Sequence, residues 1–303
     1  MMETFKKIMA MFLSLLMTFL ASIGLVTPTN GTESNYAYGS DSAQVMDIYI
    51  PNGAEQKQSN GAVLLLHDGL FETGSKDDLK STCESIISHG YIAVALNYRL
   101  LSPTNKAVTA LNVVEDLTLA IQKIKDYSAE KKLNINKIAL AGDSAGGYYA
   151  LMYSYMNVNY SPLPIAFVAS RVAPCDMEYE RWKDFYTNEQ YINLINLMAG
   201  KSFKVSDIAA KSVDLVRTAI YLSPVNYLTR ASVPTLFAYA HKDTVIPLTN
   251  KDSLENALTN CGVKHDYIAY TSATHDLGNI FNTLLKTADF SDLLVKYCKE
   301  YFG

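Results

Sequence analysis

The sequence predicts an α/β fold class, a mostly parallel, doubly wound sheet flanked by helices, with an inserted helical cap. Two patterns lead to this prediction: short runs that are almost wholly apolar, and helix-length segments between them. A short apolar run is typical of a strand buried on both faces. Strands that alternate with helices are joined by crossover connections, which makes neighbouring strands parallel. In chain order, the predicted strands are residues 44–50, 62–66, 91–96, 137–141, 165–169, 234–239 and 265–270.

The segments between these strands predict turns and helices. Residues 52–60 are rich in Gly, Gln, Ser and Asn, a composition that favours a hairpin-like turn. The predicted helices are residues 77–88, 107–127, 145–155, 251–260 and 277–301. Because ligands of a doubly wound sheet bind beyond the carboxyl ends of the strands, we expect the functional residues in the loops that follow strands.

One segment, residues 175–220, is far longer than an ordinary connection between strands. It carries Trp182, Phe185 and Tyr186, together with Leu and Ile residues at helical spacing. We interpret it as the helical cap over the active site. Its three aromatic residues are candidates for lining a substrate pocket, and simple packing within the cap is an equally open interpretation.

Composition and charge narrow the class of protein. The chain of 303 residues is 49% hydrophobic and 18% charged, which favours a globular protein with a sizeable core. Its formal net charge is −4, and no run of Lys or Arg forms a basic patch. We therefore expect no nucleic-acid partner. The chain contains neither an internal repeat nor a low-complexity linker, which predicts a single domain after the N-terminal segment.

The N-terminal segment predicts export. Lys6 and Lys7 precede an uncharged apolar run over residues 8–26. This pattern is typical of a signal peptide, which we assign to residues 1–26. The run is also long enough to span a bilayer, so an uncleaved anchor is the alternative, and a membrane is expected as a partner only in that case. In both cases the protein is secreted or extracytoplasmic.

We assign residues 27–43 to a linker and first strand, and residues 44–303 to the main domain. The main domain contains four scattered cysteines whose spacing matches neither a zinc site nor a C-x-x-C redox pair. Export permits disulfides, and Cys261 could pair with Cys298 if their helices pack together. The favoured interpretation is that Cys83, Cys175, Cys261 and Cys298 are small, mostly buried hydrophobic residues.

The strongest motif is Gly-Asp-Ser-Ala-Gly-Gly at residues 142–147. It follows a predicted buried strand and opens a predicted helix, which is the context that a G-x-S-x-G nucleophile elbow requires. The tight turn would aim the Ser144 hydroxyl outward, and the glycines would let the neighbouring backbones approach. The helix that begins at Ala145 would direct its N-terminal amides at a developing oxyanion.

In this motif the chain resembles the esterase/lipase branch of the α/β-hydrolase fold, related to hormone-sensitive-lipase-like and acyl-xylan esterases. The other segments that carry the resemblance are QVMDIYIP, LLHDGLFETGSKDD, ALNYRL, SVPTLFAYAHKDTVIP and THDL. The resemblance implies a Ser-His-Asp triad, an acyl-enzyme intermediate, and neither a metal nor an organic cofactor.

Asp243 and His275 are the candidates for the acid and the base. Asp243 follows a predicted strand and stands two residues before a Val-x-Pro turn, as the family's acid does. His275 lies in the loop after the last predicted strand, where this fold places its base. The order Ser144, Asp243, His275 is the one this fold uses. The remaining histidines are interpreted as structural: His67, His89, His241 and His265.

In the family, the loop after the third strand carries His-Gly-Gly, and its backbone amides complete the oxyanion hole. This chain has His67-Asp68-Gly69 there, so Asp68 replaces the first glycine. The resemblance implies oxyanion donors at Asp68 or Gly69, together with Ala145. A carboxylate aimed at the oxyanion would oppose its negative charge. We therefore expect the Asp68 side chain to turn away.

The predicted function is a serine carboxylic ester hydrolase acting on small, uncharged esters. The resemblance implies acyl groups on polysaccharide as one substrate, so the expected partner is a small-molecule or polysaccharide ester. A serine exopeptidase of the prolyl-oligopeptidase type is one alternative, although such enzymes normally carry a propeller domain for which this chain has no room. A non-catalytic binding protein of the same fold is the other, and Asp68 is the one feature in its favour.

Overall fold

A computed structural model describes residues 29–277 and 280–303, so the predicted signal peptide lies outside the described residues. The described chain forms an eight-stranded sheet. The strands are β1 (Thr29–Ala37), β2 (Val45–Pro51), β3 (Asn60–Leu66), β4 (Ile92–Leu96), β5 (Ile135–Asp143), β6 (Ile165–Arg171), β7 (Thr235–Ala240) and β8 (His265–Tyr270). β1 lies within the range that the sequence assigned to a linker and first strand.

The strands lie in the order β1-β2-β4-β3-β5-β6-β7-β8. β1 pairs with β2, and β2 with β4, in antiparallel fashion, whereas every other neighbouring pair is parallel. The predicted α/β class with a mostly parallel sheet is confirmed. The hairpin-like turn predicted for residues 52–60 is wrong, because β4 lies between β2 and β3. Turn-forming residues determine that the chain reverses, not which strand it then pairs with.

The central strand β3 shows why the continuous apolar runs occur. All seven of its residues are buried. Leu64 and Leu66 point into the hydrophobic core on one face of the sheet, and Val63 and Leu65 point into the core on the other. Because side chains alternate along a strand, a strand covered on both faces has to be apolar at every position.

Helices cover both faces of the sheet. They are α1 (Lys80–Ser88), α2 (Ala110–Lys131), α3 (Ser144–Met156), α4 (Asn188–Ala199), α5 (Val205–Ala209), α6 (Val213–Tyr221), α7 (Thr249–Cys261) and α8 (Ile280–Phe302). Short 3-10 turns occur at Ala54–Gln56, Lys76–Leu79, Tyr179–Arg181 and Pro224–Tyr227. α2 begins three residues later than predicted, since Thr109 and Asn112 form a capping box at its N-terminus.

The predicted cap is present as an insertion between β6 and β7, and it contains α4, α5 and α6. α4 is held at both ends: Thr187 and Gln190 form a capping box at its start, and Gly200 ends it in the left-handed conformation with φ of 65°. These local signals explain why the segment folds as a helix at this position.

Three further expectations concern the cysteines, possible metal ligands and the length and polarity of the helices. All four cysteines are free, and Cys261 therefore forms no disulfide with Cys298. Across the described ranges, no group of three or more His, Cys, Asp or Glu side chains is arranged to hold a metal ion. In the part of the chain that the structure describes, every helix is too short or too polar to cross a bilayer.

Candidate active site

Ser144 lies at the turn between β5 and α3, where the motif places it. Its φ is 50°, in the left-handed region that a residue with a side chain rarely adopts. The neighbouring backbones are packed too closely for a side chain at either glycine. A Cβ at Gly142 would lie 2.5 Å from the carbonyl carbon of Gly146, and a Cβ at Gly146 would lie 2.1 Å from the carbonyl oxygen of Leu66. We call residues 142–147 the nucleophile elbow.

The structure brings Ser144, His275 and Asp243 together in a chain of hydrogen bonds. His275 Nε2 lies 2.8 Å from Ser144 Oγ, and His275 Nδ1 lies 2.8 Å from Asp243 Oδ2. A carboxylate only accepts, so Nδ1 carries the proton and Nε2 accepts from the serine hydroxyl. The Asp243 side chain is 2% exposed and that of His275 is 18% exposed, so the imidazole is shielded but reachable.

Two loops at the same edge of the sheet hold the acid and the base. Asp243 Oδ1 accepts hydrogen bonds from the amides of Val245, at 2.7 Å, and Ile246, at 2.9 Å. The loop of His275 is joined to the loop of Asp243 by the Lys242 amide, which donates to the Ala273 carbonyl at 3.0 Å. The orientation of the Asp243 carboxylate is therefore set by backbone groups of its own loop.

An ion pair lies beside the elbow. Asp143 precedes the nucleophile, and its carboxylate accepts two hydrogen bonds from the Arg171 guanidinium, one of them 2.7 Å from Nε to Oδ1. Although burial opposes the charged form, the Asp143 carboxylate raises the pKa of Arg171. The pair leaves no uncompensated negative charge directly before Ser144. Sequence reasoning missed Arg171. Its role follows from its position at the end of β6, the strand that pairs with β5.

The loop at residues 67–74, here the His67 loop, lies opposite the elbow. Asp68 is exposed and lines a separate cavity together with Asp78 and Arg171, and it is not among the residues that line the cavity at Ser144. Within the described part of the chain, the amides of residues 68–71 donate no hydrogen bond. Leu70 and Phe71 line the cavity at Ser144.

Among the described residues these amides have no acceptor, so they are free to donate to a bound group. The Ala145 amide is also available, because the first amides of a helix have no partner within the helix. The donor roles of Asp68, Gly69 and Ala145 stay a prediction. Sequence reasoning did not single out Leu70 and Phe71. Their φ values of 53° and 72° are unusual for residues with side chains, and Leu and Phe are not residue types that predict such values.

His67 anchors this loop and does not reach the triad. Its ring is stacked on that of Tyr98, with the centroids 4.2 Å apart, and its Nδ1 lies 2.7 Å from the Asp68 carbonyl oxygen, to which it donates. Burial lowers the pKa of His67, which keeps the imidazole neutral. This arrangement agrees with the structural role expected for it.

A cavity of about 760 Å³ opens in front of Ser144. Of the three aromatic candidates in the cap, Trp182 and Tyr186 line it, whereas Phe185 is 39% exposed and lies outside the wall. The Phe185 ring stacks on that of Tyr186, with the centroids 5.8 Å apart. One face of α4 adds a row of amide and apolar side chains to the wall, namely Gln190, Asn193, Leu194, Asn196 and Leu197.

A family model and a curated relative match parts of this sequence. The model of the BD-FAE family matches residues 46–258, which is more than two thirds of the chain and includes Ser144 and Asp243. Esterase LipI of Mycobacterium tuberculosis is 29% identical over 121 residues, which are 40% of this chain and 37% of that protein. The chain thus spans little more than a third of the length of that curated relative.

Solved structures resemble the whole fold. A truncated carbohydrate esterase from gut microbiota has a TM-score of 0.68 and 18% identity, covering 90% of this chain and 98% of that one. A thermophilic esterase from Thermogutta terrifontis with butyrate bound has a TM-score of 0.67 and 18% identity, covering 89% of this chain and 94% of that one. At this identity, the likeness establishes the α/β-hydrolase fold.

Proposed function

This chain belongs to the BD-FAE family, an α/β-hydrolase esterase family, and we propose that it is a serine carboxylic ester hydrolase that works through Ser144, His275 and Asp243. The observation that carries the proposal is the hydrogen-bond chain from Ser144 Oγ to His275 Nε2 and from His275 Nδ1 to Asp243 Oδ2, with 2.8 Å at each link. This arrangement is the one by which a base activates a serine hydroxyl.

In the first half of the reaction, Ser144 Oγ attacks the acyl carbon of the ester while His275 Nε2 takes the hydroxyl proton. Asp243 stabilises the imidazolium that forms and keeps its Nδ1 proton in place. The tetrahedral intermediate then collapses. The bond to the alcohol oxygen breaks, His275 returns its proton to that oxygen, and the acyl group remains on Ser144.

In the second half, water takes the place of the alcohol. His275 removes a proton from the water as the water oxygen attacks the acyl-enzyme carbonyl, and the second intermediate releases the acid and restores the Ser144 hydroxyl. Both intermediates carry an oxyanion. The Ala145 amide at the start of α3 and the unpaired amides of the His67 loop would stabilise it by roughly 3–4 kcal/mol per donor.

We propose that the substrates are small acyl esters carried on polysaccharide. The wall of the cavity supports this, since it combines the Trp182 and Tyr186 rings with amide groups of α4. The Asn193 side chain has no hydrogen-bond partner among the described residues and is exposed at the cavity, where it would meet a sugar hydroxyl. A carbohydrate esterase from gut microbiota shares the fold.

The catalytic proposal is tested with chromogenic esters from C2 to C12 and a feruloyl ester, using the intact chain and Ser144→Ala. We expect Ser144→Ala to lower kcat/KM by about 10⁴-fold or more. Ser154→Ala is the matched control, because Ser154 is a buried serine of the same helix that lies away from the cavity. Equal turnover by Ser144→Ala and the wild type would refute the proposal, and labelling by a fluorophosphonate would report whether Ser144 is activated.

The substrate proposal is tested with Asn193→Ala, comparing an acetylated xylo-oligosaccharide with p-nitrophenyl acetate. We expect KM to rise severalfold for the sugar ester, the equivalent of about one hydrogen bond, and to stay constant for the simple ester. Asn136→Ala is the control, since Asn136 lies at the opposite end of β5 and bonds to Ser59. An equal effect of Asn193→Ala on both esters would argue against a sugar at this wall.

We further propose that the protein acts outside the cytoplasm, on the strength of the basic start and apolar run in residues 1–26. Fractionation of an expressing cell, followed by intact-mass measurement, tests this. A shortened chain in the exported fraction would support a cleaved signal peptide, and a full-length chain in the membrane fraction would support an anchor. A full-length chain in the cytoplasm would refute the proposal.

A further inference from the structure

We propose that Tyr186 of the cap is a positioning residue for the reaction: its hydroxyl holds the loop that presents Asp243 to His275. The inference rests on the proposed function, because it concerns the same triad. It assigns to Tyr186 a second role besides lining the pocket, namely to fix the orientation of the Asp243 carboxylate.

An unbroken series of contacts connects the cap to the nucleophile. The Tyr186 hydroxyl donates to the Val245 carbonyl oxygen at 3.0 Å. The Val245 amide donates to Asp243 Oδ1 at 2.7 Å, and Asp243 Oδ2 lies 2.8 Å from His275 Nδ1. Tyr186 thus binds the residue whose own amide orients the carboxylate. A shift of Val245 would turn Asp243 and misalign the imidazole.

The Tyr186 hydroxyl remains a donor under ordinary conditions. Burial, followed by the nearby negative charge of Asp243, raises the pKa of Tyr186, so the hydroxyl stays protonated. A protonated hydroxyl bonded to the Val245 carbonyl has its one hydrogen in use. The hydroxyl proton is consequently committed to the loop that carries Val245.

Tyr186 is itself held by a rigid part of the cap. Its ring packs edge-on against Trp182, with the centroids 5.1 Å apart, and Trp182 is fully buried. The Trp182 indole nitrogen donates to the Asp176 carbonyl at 2.7 Å, and the Asp176 carboxylate accepts from Ser253 of α7 at 2.7 Å. These hydrogen bonds connect the start of the cap to α7, the helix that follows the loop of Asp243. They therefore hold Tyr186 in a fixed position.

The test compares Tyr186→Phe with Tyr191→Phe. Both substitutions remove one cap hydroxyl that donates to a backbone carbonyl at 3.0 Å, but the carbonyl that accepts from Tyr191 belongs to Met177 and lies outside the cavity wall. We expect Tyr186→Phe to lower kcat by about 3- to 10-fold, the rate equivalent of one hydrogen bond, with KM unchanged. Tyr191→Phe should leave both constants at the wild-type value.

Two further measurements separate positioning from other roles. The loss in kcat should be the same for two esters that differ in both acyl group and alcohol, after the active fraction is normalised by fluorophosphonate titration. In the proton NMR spectrum, the hydrogen-bonded Nδ1 proton of His275 should shift or broaden in Tyr186→Phe and stay unchanged in Tyr191→Phe.

Several results would overturn the inference. These are an unchanged kcat for Tyr186→Phe, a rise in KM alone, a loss that differs between the two esters, or an equal loss in Tyr191→Phe. Failure of the inference is distinct from failure of the proposed function. The latter would appear as full activity of Ser144→Ala, whereas the former leaves Ser144→Ala inactive.

Discussion

The nucleophile elbow and the His67 loop lie on opposite sides of the same site, and both contain backbone in the left-handed region. The elbow has one such residue, Ser144, whereas the loop has four, namely Gly69, Leu70, Phe71 and Gly74. Each left-handed residue with a side chain costs on the order of 1–2 kcal/mol. The loop therefore stores more strain than the elbow, although the elbow carries the recognised motif.

The two regions share one means of holding their strain, and the loop adds a second. In both, glycines allow close backbone contact: a Cβ at Gly146 would lie 2.1 Å from the Leu66 carbonyl oxygen, and a Cβ at Gly69 would lie 2.1 Å from the Thr73 carbonyl oxygen. In the loop, aromatic packing is added, since His67 stacks on Tyr98 and the Phe71 ring packs edge-on against Tyr148 at 5.4 Å. Strain held by backbone contact leaves a signature in the sequence, and strain held by side-chain packing does not.

The largest effect is expected from Gly146→Ala, which disrupts the backbone contact of the elbow. Because backbone atoms cannot move aside as a side chain would, we expect the free energy of unfolding to fall by about 3 kcal/mol, with loss of esterase activity. Urea denaturation and turnover of a short ester measure the two effects. Gly31→Ala is the control, since a Cβ there meets nothing within 4 Å. A stable, active Gly146→Ala would show that the elbow does not depend on this contact.

Phe71→Ala attacks the side-chain packing of the loop. The ring is 5% exposed, so its removal should lower the free energy of unfolding by about 3 kcal/mol. We also expect kcat to fall about tenfold, because the loop amides would lose their position. Leu70→Ala serves as the control for stability in the same loop, since Leu70 is 58% exposed. If Phe71→Ala lowered stability while kcat stayed constant, the loop would not supply the oxyanion donors.

The His67 ring should make stability depend on pH. Its folded-state pKa is lowered from 6.5, so protonation favours the unfolded chain. The contribution of neutral His67 to the free energy of unfolding is fully present above pH 6.5, and it is lost as the pH falls toward the folded-state pKa. We expect the melting temperature of His67→Phe, measured by thermal denaturation between pH 5 and pH 8, to fall less than that of the wild type as the pH is lowered. Parallel curves for the two proteins would contradict a buried neutral imidazole.

The smallest effect is expected from Asp68→Gly, which restores the residue that the esterase/lipase branch carries. Asp68 is exposed and does not line the cavity at Ser144, so kcat should change by no more than about threefold. Asp68→Asn removes the charge alone and controls for the added backbone freedom of glycine. A large rise in kcat in both variants would mean that the carboxylate does oppose the oxyanion.

Some features of the site could be predicted from the sequence because their causes are local. The elbow is specified by a strand, a glycine-flanked serine and a helix within a few consecutive residues. The positions of Asp243 and His275 followed from the loops after two predicted strands. Arg171, Leu70 and Phe71 could not be predicted, since each acquires its role from a neighbour on another strand or helix. Phe185, a candidate for the pocket wall, lies outside it, because the packing of the cap decides which of its residues face the cavity.

By itself, the sequence determined the α/β class, the run of buried strands and the serine at the bend, since periodicity and turn chemistry act over a few residues. The tertiary structure alone decided the strand order, the face that the cap presents to the cavity, and the 2.8 Å contact between Ser144 and a histidine 131 residues away. Contacts of that range arise when elements pack, and the energy of packing belongs to the whole core, not to any one segment.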